Sequence, residues 1–288
     1  MEPLTEGYGL IEGPVWDPER GLLFSDVLFG GVFALSSDEQ VTTIFEHRRG
    51  IGGMALHAAH GLVVSGRNIS FKPFGGGDTV TLLDQDPDNH VIGFNDITTD
   101  AAGRVYAGSL GASPVFDDGR KPRPGDLFLI DLDGSSRKVA TDVALTNGLA
   151  FSPDGNTLYH SDSRRHTVFK YAVDSHGGLG PKTPFAQTSR GIPDGLVVSE
   201  DGAVWVALAD GGNGVCVFDQ GGRQRDFIEI PNPMCTSVCF GGDDRKDLYI
   251  VSGSHGTGHH KAGAVYRVRV AVAGVPVAPA KILIGGDE

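Results

Sequence analysis

Short apolar runs alternate with Gly-centred turns along the whole chain, and no run carries the three-to-four-residue apolar period of an amphipathic helix over useful length. One unit recurs: a tight turn, then a strand of about five residues ending in a small or acidic side chain. It reads Gly21-Leu22-Leu23-Phe24-Ser25-Asp26, then Gly61-Leu62-Val63-Val64-Ser65-Gly66, Gly103-Arg104-Val105-Tyr106-Ala107-Gly108 and Asn156-Thr157-Leu158-Tyr159-His160-Ser161-Asp162. Two further copies are Gly202-Ala203-Val204-Trp205-Val206-Ala207 and Asp247-Leu248-Tyr249-Ile250-Val251-Ser252. Aligned on Leu23, Leu62, Val105, Leu158, Val204 and Leu248, they are spaced by 39, 43, 53, 46 and 44 residues. Most are followed by a second strand, such as Val32-Phe33-Ala34-Leu35 or Thr167-Val168-Phe169-Lys170-Tyr171, across hairpin turns such as Asp133-Gly134.

Six copies at that period predict an all-β, six-bladed β-propeller, a single domain over residues 1–288. Its first and last sheet edges need cover, so either the residues before Glu12 or the apolar tail Lys281-Ile282-Leu283-Ile284 should pair with the other end of the chain. The longest interval holds residues 111–124, an aperiodic insertion that reads equally as a lid over one end of the ring and as a tolerated surface loop.

Composition agrees: 43 Gly and 16 Pro suit many tight turns. The net charge of −12 argues against nucleic acid and anionic membranes as partners and otherwise serves solubility. Cys216, Cys235 and Cys239 are too few for a disulfide framework, and the latter two sit among apolar neighbours as small buried hydrophobes. Neither a secretory leader nor a membrane-spanning stretch is visible, so a cytoplasmic location is the expectation; oligomeric state is silent.

Polar chemistry gathers where innermost strands should begin. Glu12 precedes Gly13-Pro14-Val15-Trp16, Asn95 precedes Asp96-Ile97, Asn147 precedes Gly148-Leu149-Ala150-Phe151, and Asp194 precedes Gly195-Leu196. Alone, each Asn or Asp reads as a turn former. In a closed ring their oxygens meet on the axis, where three or four of them balance a hard divalent cation: Ca²⁺ first, with Mn²⁺, Mg²⁺ and Zn²⁺ left open. No cofactor other than a metal is indicated, since no phosphate loop and no Gly-x-Ser-x-Gly elbow occurs.

Taken in order, Glu12-Gly13-Pro14-Val15-Trp16, Ile51-Gly52-Gly53-Met54-Ala55, Asn95-Asp96, Asn147-Gly148-Leu149-Ala150-Phe151-Ser152, Pro193-Asp194-Gly195 and Cys235-Thr236-Ser237-Val238-Cys239-Phe240-Gly241-Gly242 resemble the SMP-30/gluconolactonase/LRE-like, or regucalcin-type, family over nearly the whole chain. The resemblance implies a propeller with a central metal held by Glu12, Asn147 and Asp194. It further implies that Asn95 contacts substrate, that Asp194 doubles as general base, and that the reaction opens a lactone or related ester. Alternatives are organophosphate hydrolysis, another metal-dependent ring-opening or isomerising step, and a non-catalytic metal-stabilised binding propeller.

One departure stands out. Gly93 occupies the position, two before Asn95, where related sugar-lactone hydrolases carry Arg. Loss of that guanidinium predicts a substrate less polar than a sugar lactone, and Phe74, Phe94, Phe116 and Gly75-Gly76-Gly77 are candidates for a roomier apolar mouth, each also readable as ordinary packing. His57 and His160 lie in strand contexts, where one turned to the channel would assist proton transfer and a satisfied interior His is the plainer reading. His255, His259 and His260 sit in a Gly-rich turn that holds ligands loosely.

Overall fold

The computed structural model describes residues 1–116 and 119–285. Six four-stranded antiparallel sheets form one ring. Their first strands are Ile11–Asp17, Met54–His57, Gly93–Thr99, Thr146–Phe151, Ile192–Val198 and Met234–Gly241. These pack against one another around the axis. The six sequence repeats are the second strands of successive blades, from Gly21–Asp26 to Asp247–Gly253.

Burial explains why these segments read as unbroken apolar runs rather than as alternating ones. A blade is covered on both faces by its neighbours, so both side-chain sets of a second strand are inside, as in Gly21–Asp26. Six hydrophobic clusters result, one at each blade interface. Cys216, Cys235 and Cys239 are free thiols within this packing. Burial pushes Cys216 up to about 11 and Cys239 to about 12, and raises Cys235 as well, so all three are inert small hydrophobes.

The N-terminus closes the ring. Thr5–Tyr8 adds to Gly263–Arg269 as the outer strand of blade six, so that sheet is built from both ends of the chain. The C-terminal tail, the other candidate for this task, does something different. Pairing at Val275 N with Val198 O, Ala280 N with Leu56 O, Lys281 N with Gly103 O and Leu283 N with Leu132 O carries it across the lower face beneath blades five, two and three.

His57 belongs to this lower strap. Its Nε2 lies 3.0 Å from Ile282 O, Ala59 N donates to its Nδ1, and its ring packs on Phe71. Phe74 and Gly75–Gly77 connect two strands of blade two at the same lower end, where Phe74 stacks on Phe45 under Arg20. Phe94 is 1% exposed between blades two and three. These positions therefore do not form a mouth at the upper end, and only Phe116 of the proposed three aromatics lies there, beside Gly50. Of the 111–124 insertion, Asp117 and Asp118 lie outside the described residues.

Removal of residues 1–8 strips the outer strand from blade six together with Tyr8, which packs edge-on against Phe24. Denaturant unfolding of the truncated chain should show a loss on the order of 3–6 kcal/mol. Full retention of stability would mean that the ring does not depend on this closure.

Candidate functional site

The first strands are not regular where the polar residues sit. Register slips by one residue between Glu12 and Val15, between Phe94 and Ile97, between Thr146 and Leu149, between Pro193 and Leu196, and between Cys235 and Ser237. Five of the six axial strands thus carry a bulge at one level of the channel. A bulge sets two residues opposite one and re-aims their side chains. Asn95 and Asp96, Asn147 and Gly148, and Asp194 and Gly195 are such pairs.

Close backbone approach locks the level. A Cβ on Gly148 would stand 2.4 Å from Leu196 N, and one on Gly195 would stand 2.0 Å from Ser237 Oγ. Hydrogen bonds then run around the ring. Asn95 Nδ2 donates to Thr146 O at 2.9 Å and to Asn147 Oδ1 at 2.7 Å. Asn147 Nδ2 donates to Ser163 Oγ at 2.8 Å, and Ser163 Oγ to Pro193 O at 2.6 Å. On the other side, Thr236 Oγ1 donates to Ile11 O at 2.6 Å. The sequence-predicted set is therefore brought together: Glu12, Asn147 and Asp194 are buried, and Asn95 stays partly exposed.

Asp96 joins them, and the strand's alternation had hidden it. Burial raises its carboxyl to about 7. Burial, then the charges of Asp194 and Asp96, hold Glu12 well above the usual carboxylate range, and burial, then Asp96, do the same to Asp194. Asp194 Oδ1 is enclosed without a hydrogen-bond partner. No basic side chain contributes to any of these shifts. Among the described residues no three His, Cys, Asp or Glu side chains form a metal-holding group by themselves. The oxygens gathered here are instead carboxylates complemented by the Asn147 amide, a donor set that suits a hard cation.

Below this level the channel widens into a cavity of about 650 Å³, lined by Val15, Leu56, Ile97, Phe151, Val197 and Phe240 and floored by residues 275–279 of the tail. His160 is turned away from the axis. It is fully buried with Nε2 2.8 Å from Thr146 Oγ1, and burial depresses it to about 3, so it stays neutral and braces the strand before Asn147. His259 and His260 stack on one another at the exposed upper rim, His260 edge-on to Phe29.

Two outcomes follow for the protein held in chelator. The three carboxyls titrate near 4 in the unfolded chain and higher when folded, so between those values the folded state binds more protons. Their stabilising contribution is complete below about pH 4; the Asp96 part is lost as pH rises through about 7, and the parts from Glu12 and Asp194 are lost as pH rises through their own raised values. Melting temperature should fall by roughly 5–10 °C from pH 5 to pH 8, and Asp96→Asn should flatten the slope; a flat wild-type profile contradicts the carboxylate cluster. Gly148→Ala forces the blade-five backbone outward and should cost about 2–4 kcal/mol by denaturant unfolding.

Residues 10–254 match the family model described as SMP-30/Gluconolactonase/LRE-like region. The 6-deoxy-6-sulfogluconolactonase of Pseudomonas putida is 31% identical over 91% of this chain and 92% of its own length. The pentonolactonase of Haloferax volcanii is 29% identical over 95% of each. A solved structure of regucalcin, a calcium-binding protein from Agrobacterium tumefaciens, superposes with a TM-score of 0.84 at 22% identity over 98% of this chain and 97% of that one, a likeness of fold. With its motifs in order on six axial strands, the chain belongs to the SMP-30/gluconolactonase/LRE-like family.

Proposed function

We propose that this protein is a hydrolase that opens a small lactone, and that it does so with a divalent cation on the propeller axis. The observation that carries the reading is the set of three buried carboxylates with no basic partner, one oxygen of Asp194 wholly unsatisfied. Uncompensated carboxylates in a buried site cost several kcal/mol unless protonated or bound to a cation. The two sugar-lactone hydrolases among the relatives support the reaction class.

In this reading Glu12, Asn147 and Asp194 hold the cation through oxygen, with Ca²⁺ first among the candidates. The cation, when bound, supplies Lewis-acid polarisation of the lactone carbonyl. Asn147 is suited to its part because its Nδ2 is committed to Ser163, which leaves Oδ1 toward the axis. Asn95 holds that Oδ1 in place and, as the partly exposed member, meets the substrate from the mouth. Asp194 takes the proton of the attacking water through a carboxylate oxygen that no protein donor occupies. The cavity on the far side carries two further carboxylates in its lining, Asp96 and Asp243.

Proton release on a lactone panel, with the melting temperature followed during Ca²⁺ titration, tests both halves. Wild type should turn over at least one lactone and gain about 3 kcal/mol at a hundredfold excess over Kd. Asp194→Asn should lose roughly 10²–10⁴ in kcat/KM together with most of the calcium-dependent stabilisation. Turnover of no lactone with cation bound would sink the assignment.

A further inference from the structure

Arginines are distributed unequally between the two ends of the ring. At the lower end each guanidinium has its carboxylate: Arg20 with Asp17, Arg104 with Asp100, Arg137 with Asp131, Arg245 with Glu200 and Arg269 with Asp244. At the upper end, where Glu12, Asn95, Asn147 and Asp194 enter the channel, Arg165 and Arg190 are paired as well. Arg48, Arg49, Arg67, Arg123 and Arg164 occupy the same upper loops, and among the described residues none has a carboxylate at ion-pair distance. Asp84, Asp86 and Asp88 lie in an outer loop of the same end and pair with none of them.

Arg48 is the most telling of the five. It is partly buried, and burial alone pulls its pKa down, with no carboxylate acting against that effect. Its hydrogen bonds, to Ser65 O, Asn68 O and Asn68 Oδ1, all use Nη2. Among the described residues Nε and Nη1 have no hydrogen-bond partner, and neither is sealed from solvent. A neutral donor would tie this loop as well, without the cost of desolvating a cation.

Its position bears on Gly93. Phe94 N donates to Gly66 O at 2.7 Å, and a Cβ on Gly93 would stand 2.8 Å from that same oxygen, so position 93 has no room for a side chain. The segment that crowds it out lies beside one other guanidinium, that of Arg48, while Arg67 within it turns its own to the Gln85 side chain. A Cβ on Gly93 would be 3.6 Å from Arg67 Cα, and one on Gly66 would be 3.7 Å from Arg48 Nη2. Across the mouth, Arg164 follows Ser163, the hydroxyl that links Asn147 to Pro193, and shares a recess with Arg123.

We propose that the mouth binds the anionic end of the substrate: a lactone bearing a negative group on the side of the molecule away from its carbonyl, anchored by Arg48 and contacted by Arg164. The proposal rests on the lactone reading above and replaces the expectation of a substrate less polar than a sugar lactone. A guanidinium serves the mouth, delivered from the connector between blades one and two instead of from position 93. In a chain of net charge −12, the arginines of the upper loops that have no carboxylate partner among the described residues supply the local positive potential that an anion needs to approach.

Two lactones that differ only in the remote group test this: D-glucono-1,5-lactone and D-glucaro-1,5-lactone, whose sixth carbon is a carboxylate. Wild type should favour the second in kcat/KM by about tenfold or more at low salt, with the preference shrinking as ionic strength rises. Arg48→Gln should remove most of that preference through KM, Arg48→Lys should restore part of it, and Arg164→Gln, at an exposed position, should reduce it if Arg48→Gln does not fold. Calorimetric titration with glucarate and gluconate reads the same preference without turnover. If neither lactone is hydrolysed yet glucarate binds tighter in an Arg48-dependent way, the lactonase reading fails and the anion site stands. Equal wild-type affinity for the two acids, or a preference that Arg48→Gln and Arg164→Gln leave intact, overturns the anion site.

Discussion

The arrangement depends on how closely six first strands approach the axis. Strands packed face to face across a sheet interface stand far enough apart for side chains to interdigitate, but here Gly148 lies against the backbone of Leu196 and Gly195 against Ser237. At that separation regular pleating would leave polar side chains pointing between blades. The one-residue bulges relieve this by turning Asn95, Asn147 and Asp194 inward at a single height. Closure through Thr5–Tyr8 and the crosslinks from Ser163 and Thr236 then hold that height fixed.

What convergence builds is electrostatically unfavourable by itself. Burial raises Glu12, Asp96 and Asp194 alike, the charges of Asp194 and Asp96 add to this at Glu12 and that of Asp96 at Asp194, and hydrogen bonds to the two asparagines organise the amides without neutralising the acids. A fold retains such a cluster when the state it serves differs from the isolated protein. The axial site is therefore better understood as one part of a bound complex than as a contribution to the stability of the empty ring.

The blades were legible because the second strands are buried on both faces and announced by Gly turns, so Leu23, Leu62, Val105, Leu158, Val204 and Leu248 fell into register by spacing alone. Glu12, Asn95, Asn147 and Asp194 were legible as polar residues at the entry of apolar strands. Asp96 was not, because strict alternation sends it to the opposite face from Asn95 and only the bulge returns it. The path of the tail was equally hidden. Val275-Pro276-Val277-Ala278-Pro279 has no periodicity, and its hydrogen bonds go to strand ends in three different blades. Phe74 misled for a simpler reason: hairpin parity decides which end of the ring a loop reaches, and the connection after Ile69–Pro73 falls at the lower end.

Net charge speaks to the whole surface and not to the mouth. A total of −12 describes a surface on average, whereas the potential at an entrance is set by which charges lack a partner. Lower-face guanidinium groups are cancelled by carboxylates at contact distance, within one turn as Arg20 is by Asp17 or between blades as Arg245 is by Glu200, and contribute little at a distance. Among the described residues Arg48, Arg49, Arg67, Arg123 and Arg164 have no carboxylate at ion-pair distance, so their charge is not cancelled locally even though Asp84, Asp86 and Asp88 lie in an outer loop of the same end. Their spread over several connectors makes the missing side chain at Gly93 a weak guide to polarity. A propeller mouth is assembled from loops of every blade, and a guanidinium lost from one strand is replaceable from any connector that reaches the same edge.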